Sequence, residues 1–438
     1  MAIFGIPTTL IGCGAALLGL SAAGGTALIT GNHTPLVVLT IIQGAIYASA
    51  VFWAWRQRQE PDAPPGRTLA FILALAVVFR ALPLFAPPHS TDIYRYVWDG
   101  RVQANGINPY RYIPADPALE RLRDETIFPN INRRDYAPTI YPPTAQIVYL
   151  MATRFGESLT IMKLAMLVFE ALAIGAILML LAARGLPSCL ILVFAWHPLA
   201  IYEIAGSGHV DIVAVAFMML AILAAERGRQ GAAGAALALA TCAKFFPLVL
   251  APALWRRWGR KMPLAFVATA VAVYAPYRSV GSQVFGFLGG YADEGGLRTG
   301  EGILLSAIFR ELGIVDHAVP LFIACALLLL AALSWRAVFR PDPDAPDIRA
   351  AFTLATAVTV LISPAHAWYF LWLIPFLCFF PSPAVLHLTL AATALYRVGW
   401  PPSLFGAALL YVPFGLLLLL ENSRLFSLKE FRYESARA

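Results

Sequence analysis

The feature that most constrains this chain is a succession of apolar runs, each about 17–25 residues long and able to cross a hydrocarbon layer about 30 Å thick. They recur along nearly all of the 438 residues, which are 59% hydrophobic and only 13% charged. Soluble proteins are roughly a quarter charged, and a water-soluble globule of this size needs far more polar surface than this sequence supplies. Disorder, collagen, a coiled coil and a nucleic-acid-binding domain are excluded on the same grounds. The chain reads as an all-α, polytopic membrane protein.

The net charge of +7 invites the idea of an anionic partner, but its distribution argues otherwise. Between Pro87 and Ser158 eight arginines face eight carboxylates and cancel. The excess lies in short segments: Arg56, Arg58 and Arg67; Arg184; Arg227 and Arg229; Arg256, Arg257, Arg260 and Lys261; Arg336, Arg340 and Arg349; and the tail from Arg424 to Arg437. Short Lys/Arg-rich loops stay in the cytoplasm, so the basic balance encodes orientation. It predicts about 13 membrane segments in alternation. Both termini lie in the cytoplasm, with one large polar loop (87–158) and a second, Gly-rich one (278–317) on the far side. The end of the large loop, Tyr141 to Phe155, predicts an interfacial helix starting after Pro142-Pro143. The stretch 231–254, basic at both ends and broken at Pro247, predicts a hairpin of two half-helices. Five cysteines (Cys13, Cys189, Cys242, Cys325, Cys378) all lie in or beside apolar runs, which leaves no disulfide framework or Cys-based metal site. The first apolar run, without a basic leader or cleavage site, reads as a retained helix.

Four polar constellations stand at the ends of these runs. The first runs from Pro88-His89-Ser90-Thr91-Asp92 to Asp99-Gly100-Arg101 and on to Gly106-Ile107-Asn108-Pro109-Tyr110. Asp92, Arg95 and Asp99 share a helical face, and a carboxylate at the water–lipid boundary suits a general base toward a hydroxyl. An aromatic belt with locally paired charges is the plainer reading. In the second, Glu203-Ile204-Ala205-Gly206-Ser207-Gly208-His209-Val210-Asp211, His209 and Asp211 stand near a helix start. They suit a metal or a sugar, or simply an acidic first turn. The third is Lys244-Phe245-Phe246-Pro247: an intramembrane lysine beside broken backbone marks a phosphate holder, or a snorkelling side chain. In the fourth, Ser363-Pro364-Ala365-His366-Ala367-Trp368-Tyr369, an interfacial belt accounts for the aromatics but not for His366. Arg80, Glu170, His197 and Arg397 lie inside runs and read as buried pairing partners.

Taken together, Asp92-x-Tyr94-Arg95-Tyr96-x-x-Asp99-Gly100-Arg101, Tyr141-Pro142-Pro143, Gly208-His209-x-Asp211, Lys244-Phe245-x-Pro247 and His366-x-Trp368-Tyr369-x-x-Trp372-x-x-Pro375 resemble the GT-C glycosyltransferases. Among these the likeness is to the bacterial polyprenyl-phosphate-mannose-dependent mannosyltransferases and their family 87 relatives. It covers residues 68–421, with 1–67 as two additional N-terminal helices and 422–438 as a cytoplasmic tail. The resemblance implies an inverting hexosyltransferase of the bacterial inner membrane with its active site facing the periplasm. It would move mannose from a polyprenyl-phosphate donor to a lipid- or glycan-linked hydroxyl. Asp92 matches the catalytic base, and Arg95, Asp99, Arg101, Tyr141, His209, Asp211, Lys244, His366, Trp368 and Tyr369 are the candidate substrate contacts. Many such enzymes carry two neighbouring acidic residues where Ser90-Thr91-Asp92-Ile93 has one, which leaves a divalent cation open; no tightly bound cofactor is expected. The residue chemistry agrees: a phosphate leaving group needs no general acid but does need positive charge where water is scarce. Lys244 and one or more of Arg95, Arg101, Arg133 and Arg134 are the cations for it. Tyr94, Trp98 and Trp368 suit sugar faces, and the lipid tail would enter near Lys244 and the His366 turn. The alternative is a transporter or flippase of lipid-linked sugars, whose ionisable residues belong at the bilayer midplane on repeated broken helices. No internal repeat is evident here.

Overall fold

Within a hydrocarbon layer peptide groups have no water to bond, so each apolar run closes its own N–H···O=C ladder and becomes a helix. The computed structural model describes residues 2–3, 5–29, 36–59, 66–294, 296, 303, 306–342, 345–398 and 404–423. The tail from Arg424 onward and part of the second external loop lie outside them. Apart from one antiparallel pair, Ala2–Ile3 with Ile6–Pro7, the regular structure among the described residues is helical.

Two long helices, α1 (Thr8–Ile29) and α2 (Leu36–Arg56), lead into α3 (Gly66–Phe85). The large loop opens with α4 (Asp92–Ala104) and closes with α5 (Pro143–Thr153), which starts at the predicted prolines. These two pack closely at Gly100, where a Cβ would stand 2.6 Å from the Tyr149 carbonyl oxygen. Next come α6 (Leu159–Ala183) and a span broken by 58° into α7 (Ser188–Ala195) and α8 (Pro198–Gly206). The last turns of α8 are π-helical, a local form frequent at functional sites. Beyond it, α9 (Asp211–Glu226) returns.

The half-helix hairpin predicted for 231–254 is present. α10 (Gln230–Thr241) rises and the chain turns at residues 242–245. It then descends through a 3-10 segment (Phe246–Leu250) and α11 (Ala251–Leu254). Its two feet meet, since the Gln230 side chain bonds both the Leu254 carbonyl (3.4 Å) and the Arg256 amide (3.1 Å). α12 (Lys261–Tyr274) rises again to a segment at the large-loop end carrying α13 (Leu288–Glu294). This segment packs on the large loop: Asn108 donates to the Tyr277 carbonyl at 3.0 Å, and Phe287 N–H to the Thr139 carbonyl at 3.1 Å. α14 (Ser306–Glu311), α15 (Val315–Val338) and α16 (Ile348–Ile362) follow, then a 3-10 helix (Ala367–Cys378). The fold closes with α17 (Pro383–Ala391), α18 (Leu395–Val398) and α19 (Leu404–Asn422).

Among the described residues five segments are long and apolar enough to cross a membrane unaided, six if the bent α7–α8 pair counts as one. Shorter apolar helices fill the spaces between them. The basic segments gather at the end of the bundle opposite the large loop. There Arg58 donates to the Cys378 carbonyl (3.4 Å), Arg184 pairs with Glu226 (2.8 Å) and Arg340 donates to the Trp255 carbonyl (2.9 Å).

Two internal cations hold α3 in place. Arg80 grips Glu170 of α6 through two bonds of 2.5 and 2.6 Å and also donates to the Ala195 carbonyl at 2.9 Å. Lys163 of α6 donates to the Pro83, Leu84 and Ala86 carbonyls, closest at 2.7 Å, and so satisfies the orphan acceptors at the end of α3. As expected for buried pairing partners, Arg80 and Glu170 are almost fully enclosed, and His197 bonds Thr389 at 3.0 Å. Removing one member of such a pair strands the other charge, at a cost of about 3–5 kcal/mol. Arg80→Met should therefore markedly lower the thermal stability of the detergent-solubilised protein. Arg80→Met/Glu170→Leu should recover more than half of the loss; a double variant no more stable than the single would refute this.

Candidate active site

Three interruptions of helical backbone bring the polar constellations together at the loop end of the bundle. At the α8–α9 turn Gly208 takes φ +70°, and a Cβ there would stand 2.6 Å from the Ile93 side chain. Glycine is required on both counts, and the turn sits directly against α4. The hairpin tip is tied to the start of α5 by Thr144 N–H donating to the Cys242 carbonyl at 2.9 Å. The third interruption is the turn after α16, with Ser363 left-handed at φ 42°.

Asp92 occupies the first turn of α4, half-buried, where the helix N-terminus favours a carboxylate. Its Oδ1 accepts from the Asn132 side-chain amide at 2.6 Å. Its Oδ2 has no hydrogen-bond partner among the described residues. Its charge acts on His209, His366, Tyr141, Tyr291, Tyr369 and Tyr396, which places it at the centre of the cluster.

On one side of Asp92 stands a buried histidine. His209 Nδ1 lies 2.7 Å from Glu203 Oε2, and the other oxygen of Glu203 accepts from the Tyr396 hydroxyl at 2.6 Å. The His209 ring stacks on Trp368 at 4.3 Å, and exposed His366 stacks on the same indole at 4.4 Å. Lys244 pairs with Asp211 at 2.6 Å and sits 4.2 Å above the Tyr369 ring. The Tyr369 hydroxyl meets that of Tyr291 at 2.9 Å. Arg133 lies over the Tyr291 ring at 5.3 Å and pairs with Glu294 at 2.6 Å. Lys244, two phenols and Arg133 thus form an arc of positive charge and hydroxyl donors beside the carboxylate. Among the described residues no group of three His, Cys, Asp or Glu side chains is arranged to hold a metal ion.

Asp92, His209, Asp211, Lys244, His366, Trp368 and Tyr369 are therefore assembled in one place. Tyr141 lies just behind Asp92, inside a cluster with Tyr96 and Tyr149. Arg95, Asp99 and Arg101 bond to partners inside the loop. Arg95 bonds Asp99 (2.9 Å) and the Ala137 carbonyl (3.2 Å), and Gln146 takes the second Asp99 oxygen (2.9 Å). Arg101 bonds Asp124, Glu157 and the Leu122 carbonyl. Arg134 pairs with its neighbour Asp135 on the surface, so of the four arginines considered only Arg133 reaches the arc. Trp98 is buried against Phe128, and the Trp368 face is occupied by imidazoles, so neither offers an open platform to a sugar. The sequence assigned no role to Asn132, Tyr291 or Tyr396, each an isolated polar residue, nor to Glu203, although it opens the His209 motif.

A pocket of about 10 Å³ lies beside the His366 turn, between Phe246 and Trp372. A groove of about 870 Å³ lies between α2, α8, α17 and α19. It runs from Pro383 past Leu386 and Leu390, with Gly44 and Phe52 opposite, to a polar end at His89, Glu203 and Tyr396.

Burial lowers the proton affinity of His209, but the hydrogen bond and charge of Glu203, with Asp92 and Asp211, outweigh it and raise the pKa above its ordinary value. A raised native pKa gives stability that is complete below the unfolded value of about 6.5 and is lost as pH climbs through the native value. Thermal stability should thus decline as pH rises above about 6.5, and Glu203→Gln should flatten that decline. Parallel native and variant curves would contradict it.

Residues 6–260, more than half of the chain, match the family described as alpha-(1->6)-mannopyranosyltransferase, N-terminal domain. Alpha-(1->6)-mannopyranosyltransferase A of Mycobacterium tuberculosis (strain ATCC 25618 / H37Rv) is 24% identical over 340 residues, 70% of this chain. The match spans 65% of that relative's length. No solved structure matches the chain. The extent of the family match shows that the chain belongs to the alpha-(1->6)-mannopyranosyltransferase family.

Proposed function

We propose that this protein transfers mannose from a polyprenyl-phosphate donor to a lipid- or glycan-linked hydroxyl, with inversion at the anomeric carbon. The observation that carries the reading is the meeting of a half-buried carboxylate, Asp92, with the Lys244–Tyr369–Tyr291–Arg133 arc. Asp92 takes the proton of the acceptor hydroxyl as its oxygen bonds the anomeric carbon. The bond from that carbon to the phosphate oxygen breaks, and its electron pair leaves with the phosphate. The arc stabilises the charge that develops there, at the edge of a low-dielectric layer. An α product formed by inversion requires a β-configured donor.

The polyprenyl character of the donor is supported by the groove. It is mostly apolar, its rim residues Ile41 and Phe52 are exposed, and it ends beside Glu203 and Tyr396. The stretch from Pro383 to Tyr396 spans roughly 20 Å at 1.5 Å per residue, enough for several isoprene units. The small residues Gly44, Ala45 and Ala48 on α2 leave the room. We further propose about thirteen membrane segments in the bacterial inner membrane, with both termini cytoplasmic and Asp92 facing the periplasm. The gathering of basic segments at the opposite end supports this orientation.

Purified protein supplied with radiolabelled polyprenyl-phosphate mannose and a membrane lipid extract should form a mannosylated product, and should form none from GDP-mannose. Asp92→Asn, at equal folded amount, should lose at least ~100-fold in rate. Transfer from the nucleotide sugar, or activity retained in the variant, would overturn the assignment.

A further inference from the structure

Two buried side-chain atoms of the His209 motif, His209 Nε2 and Asp211 Oδ2, lack a hydrogen-bond partner among the described residues. Buried polar atoms are seldom left unpaired, and each such atom in a native fold calls for a reason. They lie two residues apart at the start of α9. Their partner atoms are already committed, His209 Nδ1 to Glu203 at 2.7 Å and Asp211 Oδ1 to Lys244 at 2.6 Å. Trp368 lies over the imidazole, so both rotation of the ring and casual hydration are opposed.

A nitrogen and a carboxylate oxygen held in this way fit a group that accepts and donates together. A phosphate would meet the carboxylate oxygen with like charge. A metal ion would find no third His, Cys, Asp or Glu ligand among the described residues. A sugar hydroxyl satisfies both atoms at once, accepting from the imidazolium N–H and donating to the carboxylate. We infer that His209 and Asp211 clamp one hydroxyl of the hexose being transferred, and that Glu203 is the positioning residue that fixes the imidazole for it. This rests on the hexosyl-transfer reading above. Glu203 is well placed for the part, because its second oxygen is locked by Tyr396 at 2.6 Å and it is itself almost fully buried. Glu203, which bonds His209, lines the polar end of the groove, so the imidazole stands one contact away from the point where a lipid-linked sugar would emerge.

The test uses the full-length protein with polyprenyl-phosphate mannose and its 2-, 3-, 4- and 6-deoxy analogues. A site built to bond a hydroxyl rejects the analogue lacking it, so native kcat/KM should fall at least ~10-fold on one analogue. His209→Gln and Asp211→Asn should lose a similar factor on the parent donor and no more than ~2-fold further on that analogue, the non-additivity expected of contacting groups. Glu203→Gln should shrink discrimination at that position alone and leave the other three unchanged, which a general loss of structure would not do. If the native enzyme accepts all four analogues at the parent rate, as when ordered water fills the pair, the clamp is refuted, and this arm decides even where a variant fails to fold. Variant and analogue losses that multiply at every position also refute it. Native protein inactive on the parent donor would instead overturn the proposed function, and the clamp with it.

Discussion

The absence of water for peptide groups inside a bilayer governs this molecule more than any other constraint. Irregular backbone is tolerated at membrane depth only where protein surrounds it or a cavity receives it. Here the π-helical end of α8, the glycine turn at Gly208, the hairpin tip at residues 242–245 and the left-handed Ser363 all lie at one end, against α4 and the large loop. Each interruption turns a side chain inward that a continuous helix would have aimed along its own face. His209, Asp211, Lys244 and His366 are together because their helices are broken, and the breaks survive because they cover one another.

The site is also nearly neutral by construction. Lys244 answers Asp211, Arg133 answers Glu294, and His209 answers Glu203. Such pairing lets charged groups sit at the edge of a low-dielectric layer without the full desolvation penalty. Asp92 differs, since a neutral amide, Asn132, is its hydrogen-bond partner. Among the described residues no cation pairs with it by direct contact, which leaves its carboxylate available as a base.

The membrane class, the start of α5 and the broken hairpin were legible because lipid and peptide chemistry impose them locally. Asp92 and the His209, Lys244 and His366 motifs were legible as ionisable residues where lipid disfavours them. The partners of Arg95, Asp99 and Arg101 inside the loop were not legible, because helical spacing tells which residues share a face, not which partners lie across from it. Gln146 and Asp124, far along the chain, close those bonds. Asn132 and Tyr396 were illegible for the converse reason: each matters through a contact to a distant segment, and no local pattern encodes that. The groove escaped notice because it is a space between four helices rather than a property of any one.

The hairpin of α10 and α11 has an arithmetical consequence. Both of its feet stand at the same end of the bundle, joined through Gln230, so it contributes nothing to the parity of membrane crossings. The orientation of every later helix, and hence which end of the bundle receives the His366 turn and Tyr396, is independent of it. A chain with the hairpin deleted would lose Lys244 while keeping the remaining loops on their sides, whereas one unbroken span in its place would invert the whole C-terminal half.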